Sequence, residues 1–482
     1  MNYGMAARVI GNLLLLEAAI LSIPLGVSLY FKERNAVLGF LLTMGIAGLI
    51  GLFLSNVKKE SVRLRVKEAV LIVTLGWLLV SFFASLPFIF SGSIPRLVDA
   101  FFEAVSSLTT TGSTVVKNVE ELPKGILFWR SFSHWLGGMG ILVMTLAILP
   151  TLGAGGQQIF RIESPGPAPD KFTPRVVATS KILYSIYLFL TVGQITLLRW
   201  SGLPWFESFL WAFGTVSTGG LGLYSDSMVR YGANGFLIIV TAVGMILSGI
   251  NFSLYYDLGK RRFKQIVMDA ELRLYLGILL AATLLVSLNL YGNVYVSAGE
   301  TVKQAFFQVS SIMTTTGYAT ADYDLWPAFS KGVLFFLMFV GGSAGSTSGG
   351  IKVIRFLVAG KVIKREFART LHPQAATPIT INGKVTSPDV VKGVASFYLL
   401  YLAVFVLGSL AISLENIDPF SAMSAVAATL GNVGPGFGMA GPMQNYALFS
   451  PFSKVMFSFF MLLGRLELFT LLLVFTPRFW RE

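Results

Sequence analysis

The sequence predicts an all-α polytopic membrane protein. Four fused helix–pore-loop–helix units would surround a pseudo-fourfold pore, preceded by two leading transmembrane helices. Three observations carry this. Of the 482 residues, 54% are hydrophobic and only 13% charged, where soluble chains carry about a quarter charged residues. Runs such as LIVTLGWLLVSFFASLPFIF (71–90) and LRLYLGILLAATLLVSLNLY (272–291) are long enough to cross a hydrocarbon core about 30 Å thick. Finally, a short, semi-polar segment ending in glycine recurs four times between longer apolar runs.

Residues 1–58 hold the two leading helices, near 9–31 and 36–55. The first run, VIGNLLLLEAAILSIPLGVSLYF, carries Glu17 and Pro24, is too long for a secretory leader and lacks a small-residue cleavage site. The solid apolar runs exclude a β-barrel, whose strands alternate apolar and polar positions. Cysteine is absent, which removes disulfides and thiolate metal sites.

The units follow at 67–150, 173–264, 273–370 and 388–482. Their short segments are RLVDAFFEAVSSLTTTGST, LPWFESFLWAFGTVSTGGL, TVKQAFFQVSSIMTTTGYA and IDPFSAMSAVAATLGNVGPG. Each is too short to span and reads as a re-entrant helix plus loop. They align without gaps on Gly112, Gly219, Gly317 and Gly434, with Phe102, Phe209, Phe307 and Ser424 ten positions earlier. The residues before the glycines are Thr110–Thr111, Ser217–Thr218, Thr315–Thr316 and Asn432–Val433. Irregular backbone at membrane depth must be buried in protein or line a watery cavity. Glycine permits positive φ, so successive carbonyls can point the same way, and four such loops can replace a cation's hydration shell. A glycine helix cap would account for one such loop; four at matching places point to one shared pore.

The third unit's second helix is broken by GGSAGSTSGG, Gly341 to Gly350, in which Gly342, Gly345, Ser346 and Gly349 also fall. So long a run of small residues exceeds what a one-faced helix crossing needs. It fits a backbone that bulges into the conduction path and changes shape at low steric cost, a gate. In the fourth unit Arg465 lies inside an apolar run, where a charge is a functional residue by default. Glu467 cannot face it, since i, i+2 side chains diverge on a helix. A structural ion pair between helices is the alternative.

The net charge of +13 does not indicate nucleic acid. Lys58–Lys67, Lys260–Lys264 and Lys361–Arg369 are clusters of the positive-inside kind and mark the cytoplasmic side. They also suit lipid headgroups. The G-x-x-x-x-G at 345–350 lacks the following lysine of a phosphate loop, and the G-x-G-x-x-G at 436–441 follows a helix rather than a strand. His134 and His372 are the only histidines, too few for a metal centre. No nucleophile–base constellation is present, so an enzyme is not expected.

These motifs, together with FWRSFSHWLGGMGILVMTLAILP (128–150), ESPGPAPDKFTPR (163–175), SGINF (248–252), LHPQA (371–375) and MLLGRLELFTLLLVF (461–475), resemble the Trk/Ktr/HKT superfamily of potassium transporters. The length and leading helices are similar to its bacterial Trk-type branch. The resemblance implies potassium ions as substrate at the four loops and no bound cofactor. It also implies a gate at 341–350 with Arg465 beside it in the permeation path. A homodimer in a bacterial cytoplasmic (inner) membrane, docked on a cytosolic nucleotide-binding regulatory ring, is expected with it. A sodium-conducting pore, or a potassium symporter coupled to sodium or protons, stays open as the alternative.

Overall fold

The structure is a computed structural model that describes residues 3–57, 66–140, 176–373 and 377–481. The basic residues Lys58, Lys59, Arg63 and Arg65, the stretch 141–150, the 163–175 loop and the end of the LHPQA motif lie outside the described residues.

The leading pair consists of α1 (Tyr3–Ile20), continued by α2 (Ser22–Tyr30), and α3 (Arg34–Ser55). The first span begins earlier than the apolar run suggested and is interrupted at Leu21, three residues before Pro24, because proline cannot donate to the turn behind it. Each unit then supplies an outer span, a short pore helix and a second helix. The outer spans are α4 (Val66–Phe90), α7 (Val176–Trp200), α12 (Ala270–Leu290) and α16 (Pro388–Ser413). The pore helices are α5 (Leu97–Leu108), α8 (Trp205–Ser217), α13 (Ala298–Met313) and α17 (Pro419–Leu430). Among the described residues six helices are long and apolar enough to cross a membrane.

Sequence signals place the starts. Asp418 caps α17 by accepting from Ser421 N, with Pro419 in the first turn, where proline's missing N–H costs nothing. Three of the second helices begin at prolines: α6 (Lys124–Gly138) after Pro123, α14 (Ala328–Val340) after Pro327, and α18 (Pro451–Arg465) at Pro451. The fourth, α9 (Gly235–Ser248), starts at Asn234, whose side chain accepts from Leu237 N.

All four second helices stop near the same level. α6 ends at Gly138, with Gly140 at positive φ. α9 breaks and continues at 93° as α10 (Phe252–Gly259). A short α11 (Phe263–Val267) follows. α14 stops at Val340 and resumes as α15 (Val353–Leu371). α18 gives way to α19 (Phe469–Val474) through Glu467 and Leu468, both left-handed. The sequence predicts one broken span; the structure shows breaks in the second and fourth units as well, and a stop at Gly138 in the first. A two-stranded hairpin, Thr380–Ile381 with Lys384–Val385, precedes α16, and α20 (Pro477–Trp480) ends the chain.

Burial sorts the layers. The pore helices are buried through their C-terminal halves, Phe102–Leu108, Leu210–Ser217, Phe307–Met313 and Ser424–Leu430. The outer spans α7, α12 and α16 expose apolar stripes such as Leu280, Leu284 and Leu288, as lipid-facing helices do. α4 is the exception, with 78% of its span buried against 33–39% for those three, because α1 and α3 cover it. α1 and α3 approach closely through glycine. A methyl on Gly11 would come 2.8 Å from the Gly51 carbonyl oxygen, and one on Gly51 would come 3.0 Å from that of Gly11. Backbones this near gain dispersion contacts that stand in for the missing hydrophobic drive in lipid. Gly11→Leu is therefore expected to overpack this crossing at a cost of about 1–3 kcal/mol. Gly45→Ala, where nothing lies within 4 Å, is expected to leave stability unchanged. The thermal midpoint of the purified protein in detergent checks both.

Candidate pore and intramembrane loop

Each pore helix leads into a loop whose backbone repeats one pattern. A left-handed residue comes first: Thr110 (φ 56), Thr218 (φ 54), Thr315 (φ 58) and Asn432 (φ 53). Two residues on stands a positive-φ glycine: Gly112 (φ 87), Gly220 (φ 79), Gly317 (φ 83) and Gly434 (φ 99). The residue between them donates its N–H five positions back, Thr111 to Ser106, Gly219 to Gly214, Thr316 to Ser311 and Val433 to Ala428.

The second unit is thus displaced by one from the ungapped alignment. Gly220, not Gly219, occupies the place of Gly112, Gly317 and Gly434. The pore helix agrees: Phe102 and Phe307 are fully buried, Phe209 is 40% exposed, and Leu210 at 1% fills their position. Two consecutive glycines in S-T-G-G left the register undecided in the sequence; hydrogen bonding decides it.

The loops close on one another. A methyl built on Gly112 would strike the carbonyl oxygen of Gly219, and one on Gly220 that of Thr316. In the same way Gly317 faces the oxygen of Val433, and Gly434 faces that of Thr111. Four carbonyl oxygens and four glycines therefore alternate around a ring in unit order, each oxygen filling space that any side chain would take. Threonine pairs stiffen two of the loops: Thr109 with Thr111 at 2.7 Å and Thr314 with Thr316 at 2.8 Å. The fourth loop uses Asn432, whose amide donates to Thr111 Oγ1 at 3.0 Å and to the Met461 carbonyl at 2.9 Å. Ser113 Oγ and Tyr446 OH both donate to the Gly434 carbonyl, at 3.0 and 2.9 Å. A buried ion pair backs the first loop. Glu103 accepts from Arg130 Nε at 2.8 Å, from Thr114 Oγ1 at 3.0 Å and from Val115 N at 3.0 Å. Such satisfaction is what makes a buried pair tolerable.

β-Branched residues at positive φ are outliers and cost on the order of 1–3 kcal/mol each. Here their hydroxyls meet the 341–352 segment and its neighbour. Thr315 Oγ1 accepts from Gly349 N at 2.6 Å, Thr218 Oγ1 donates to Thr347 Oγ1 at 3.4 Å, and Thr110 Oγ1 accepts from Arg465 Nη1 at 3.4 Å. Gly350 N donates to the Gly431 carbonyl at 2.9 Å.

The segment has positive φ at Gly341, Gly345, Gly350 and Lys352, and it is pinned along its length. Ser343 N donates to the Gly249 carbonyl at 2.9 Å, the Gly345 carbonyl accepts from Phe252 N at 3.0 Å, and Val353 N donates to the Gly342 carbonyl at 3.0 Å. Ser346 Oγ closes a turn on the Ser343 carbonyl at 2.6 Å. Thr347 Oγ1 donates to Val216 O at 3.1 Å. A methyl on Gly349 would collide with the Gly431 carbonyl and Asn432. Glu271 Oε1 accepts from Ala344 N at 2.7 Å and Ile354 N at 3.1 Å, clasping both sides of the break.

Arg465 is held by carbonyls: Thr347 at 3.1 Å, Gly138 at 2.9 Å, and Gly137. Glu467 pairs instead with Arg355, and Lys352 Nζ donates to the Ser348 carbonyl. The divergence of Arg465 and Glu467 expected from their spacing is what the structure shows. Below the segment opens a cavity of ≈ 1460 Å³, bordered by Ser346, Gly350, Lys352, Arg465, Asn251 and the hairpin's Asn382. Asn251, part of a glycosylation-like triplet, caps α10 through Ser253 N at 2.9 Å. Among the described residues no group of His, Asp or Glu could hold a metal ion.

Several participants escaped the sequence reading. Gly220 was visible but misregistered. Thr347, Lys352, Arg355 and Glu271 act through distant partners, so spacing gave no signal. Two of the other helix ends fall at GGMG and SGIN and the third at GRLE, stretches too short to stand out.

A sequence profile of the TrkH family, described as cation transport proteins, matches residues 36–482. The Trk system potassium uptake protein TrkH of Salmonella typhimurium is 40% identical over the whole of both chains. TrkG of Escherichia coli, likewise named a Trk system potassium uptake protein, is 33% identical over 95% of each. The crystal structure of the potassium transporter TrkH from Vibrio parahaemolyticus superposes with a TM-score of 0.89 at 36% identity, covering both chains completely. With this ring of loops on a matching fold, the chain belongs to the TrkH family of cation transport proteins, which are transporters and not enzymes.

Proposed function

We propose that this chain takes up potassium through the ring of four loops, with the 341–350 segment as its gate. The observation that carries the reading is the alternation of four glycines and four carbonyl oxygens around one closed ring. The filter comprises Thr110, Thr111 and Gly112; Thr218, Gly219 and Gly220, with Ser217 just before them; Thr315, Thr316 and Gly317; and Asn432, Val433 and Gly434. Alternating left- and right-handed backbone turns successive carbonyls to one side, and such oxygens substitute for a cation's water. The names of the relatives supply the ion. A negative interior supplies the drive, about 2.3 kcal/mol per charge per 100 mV.

The gate reading follows from contacts. The segment carrying Gly341, Gly342, Gly345, Ser346, Gly349 and Gly350 lies between the inner ends of the loops and the large cavity. Arg465 donates both to this segment and to the loops' surroundings. Its cation beneath a cation filter opposes passage electrostatically, and its hydrogen bonds hold the segment in place. Opening requires the segment to exchange its partners on the Gly249 turn, Glu271 and Thr315. Exposed Lys260–Lys264, and Lys361–Arg369 with Lys364 and Arg369 exposed, suit a cytosolic nucleotide-binding ring that would drive this exchange in a homodimer at a bacterial inner membrane. Unit boundaries near 67, 173, 273 and 388 then divide the pore into its four quarters.

Two outcomes test the reading in proteoliposomes under an inside-negative potential. Gly220→Ser and Gly112→Ser each put a side chain where a neighbouring carbonyl lies. Potassium-over-sodium discrimination is expected to fall about tenfold, equivalent to about 1.4 kcal/mol; unchanged discrimination would remove the filter assignment. Arg465→Ala is expected to raise potassium flux about tenfold without any cytosolic partner, by losing about 1.4 kcal/mol of barrier. Flux at or below that of the parent would show that Arg465 holds the fold rather than the gate.

A further inference from the structure

We infer that His134 is a positioning residue for selectivity: its imidazole, as the neutral Nδ1–H tautomer, sets the spacing between the first and second loops. The inference rests on the filter reading above.

His134 projects from α6 in the first unit and is fully buried. Its two nitrogens reach different units. Nδ1 lies 2.6 Å from the Ser107 carbonyl, at the end of the first pore helix. Nε2 accepts from the backbone N–H of Leu221 at 3.1 Å, and Leu221 directly follows Gly220. An N–H donor facing Nε2 requires that nitrogen to carry no proton, so the ring proton is on Nδ1 and donates to Ser107. The imidazolium, a donor at both nitrogens, cannot make this pair of bonds.

The same ring explains why the second loop reads S-T-G-G where two others read T-T-T-G. In the corrected register Gly219 matches Thr111, Thr316 and Val433, all of which carry side chains. A methyl on Gly219 would come within 2.5 Å of the His134 ring. The imidazole thus fills, from the neighbouring unit, the space a side chain fills elsewhere. In the first and third loops that side chain is a threonine whose hydroxyl bonds the hydroxyl two residues before it. The second loop has no such pair, and His134 supplies a hydrogen bond in its place. Gly219 is also the residue whose carbonyl oxygen faces Gly112 across the ring. A shift of the loop at Leu221 therefore also moves one of the four ring oxygens.

The test compares His134→Gln with His134→Leu in the purified full-length protein, with Gly112→Ser in parallel. Gln can place its carbonyl oxygen where Nε2 lies and accept from Leu221; Leu fills similar volume and accepts nothing. At equal amounts of folded protein, His134→Leu is expected to lose about tenfold in potassium-over-sodium discrimination, and His134→Gln to stay within about threefold of the parent. Parental discrimination in His134→Leu, with loss in Gly112→Ser, would overturn the inference and leave the filter standing. Parental discrimination in both would remove the filter reading itself. Equal loss in Leu and Gln would make His134 a matter of shape alone and also overturn the inference. Should His134→Leu fail to fold, the tautomer in the parent decides. With only two histidines in the chain, ¹⁵N-histidine resonances assign by comparison with His372→Gln. A neutral Nδ1–H ring at neutral pH is expected; an imidazolium or an Nε2–H ring would overturn the inference.

Discussion

The ring in which each loop's glycine faces the next loop's carbonyl is the constraint on which the rest depends. It admits no side chain at four positions and fixes four backbones relative to one another at membrane depth, where water cannot satisfy their polar groups. The surrounding structure supplies those partners. Short pore helices deliver the chain, buried side chains such as Glu103, Tyr446 and Asn432 hold it, and second helices end where the inner side of the ring must be met.

Strain and its relief are concentrated at one level. Three threonines and an asparagine are left-handed, each at a cost of about 1–3 kcal/mol. Three of the four have side chains bonded to the 341–352 segment or to Arg465. The proposed gate and the proposed filter therefore share hydrogen bonds, so a movement of one changes the support of the other. Glu271 adds a clasp from outside the pore, accepting from both ends of the broken helix. Arg355 and Glu467 link the segments that follow the third and fourth breaks.

Much of this was legible. Apolar length and charge placement located the spans, and prolines and capping residues located helix starts. The period of about a hundred residues located four loops. The unbroken run of small residues from Gly341 to Gly350 located the one break whose signal was strong. What failed did so for identifiable reasons. In S-T-G-G either glycine satisfies the pattern, and Phe209 offered a plausible but wrong anchor, since it faces outward while Leu210 packs inward. The helix end at Gly138 and the breaks after Ser248 and Arg465 depend on what each carbonyl and cation meets from the other units.

By itself the sequence determined the class, the repeat and the residue types available at each loop, because these follow from local composition and spacing in a lipid solvent. Tertiary structure alone decided which glycine of the second loop enters the ring. It also decided that the His134 ring occupies the place of a missing side chain, and that Arg465 turns to carbonyls while Glu467 turns to Arg355. The last two of these outcomes are settled by atoms more than eighty residues apart in the chain. Hydrogen-bond geometry and excluded volume between distant backbones have no signature in local pattern, so only the assembled fold could choose among the options the sequence left open.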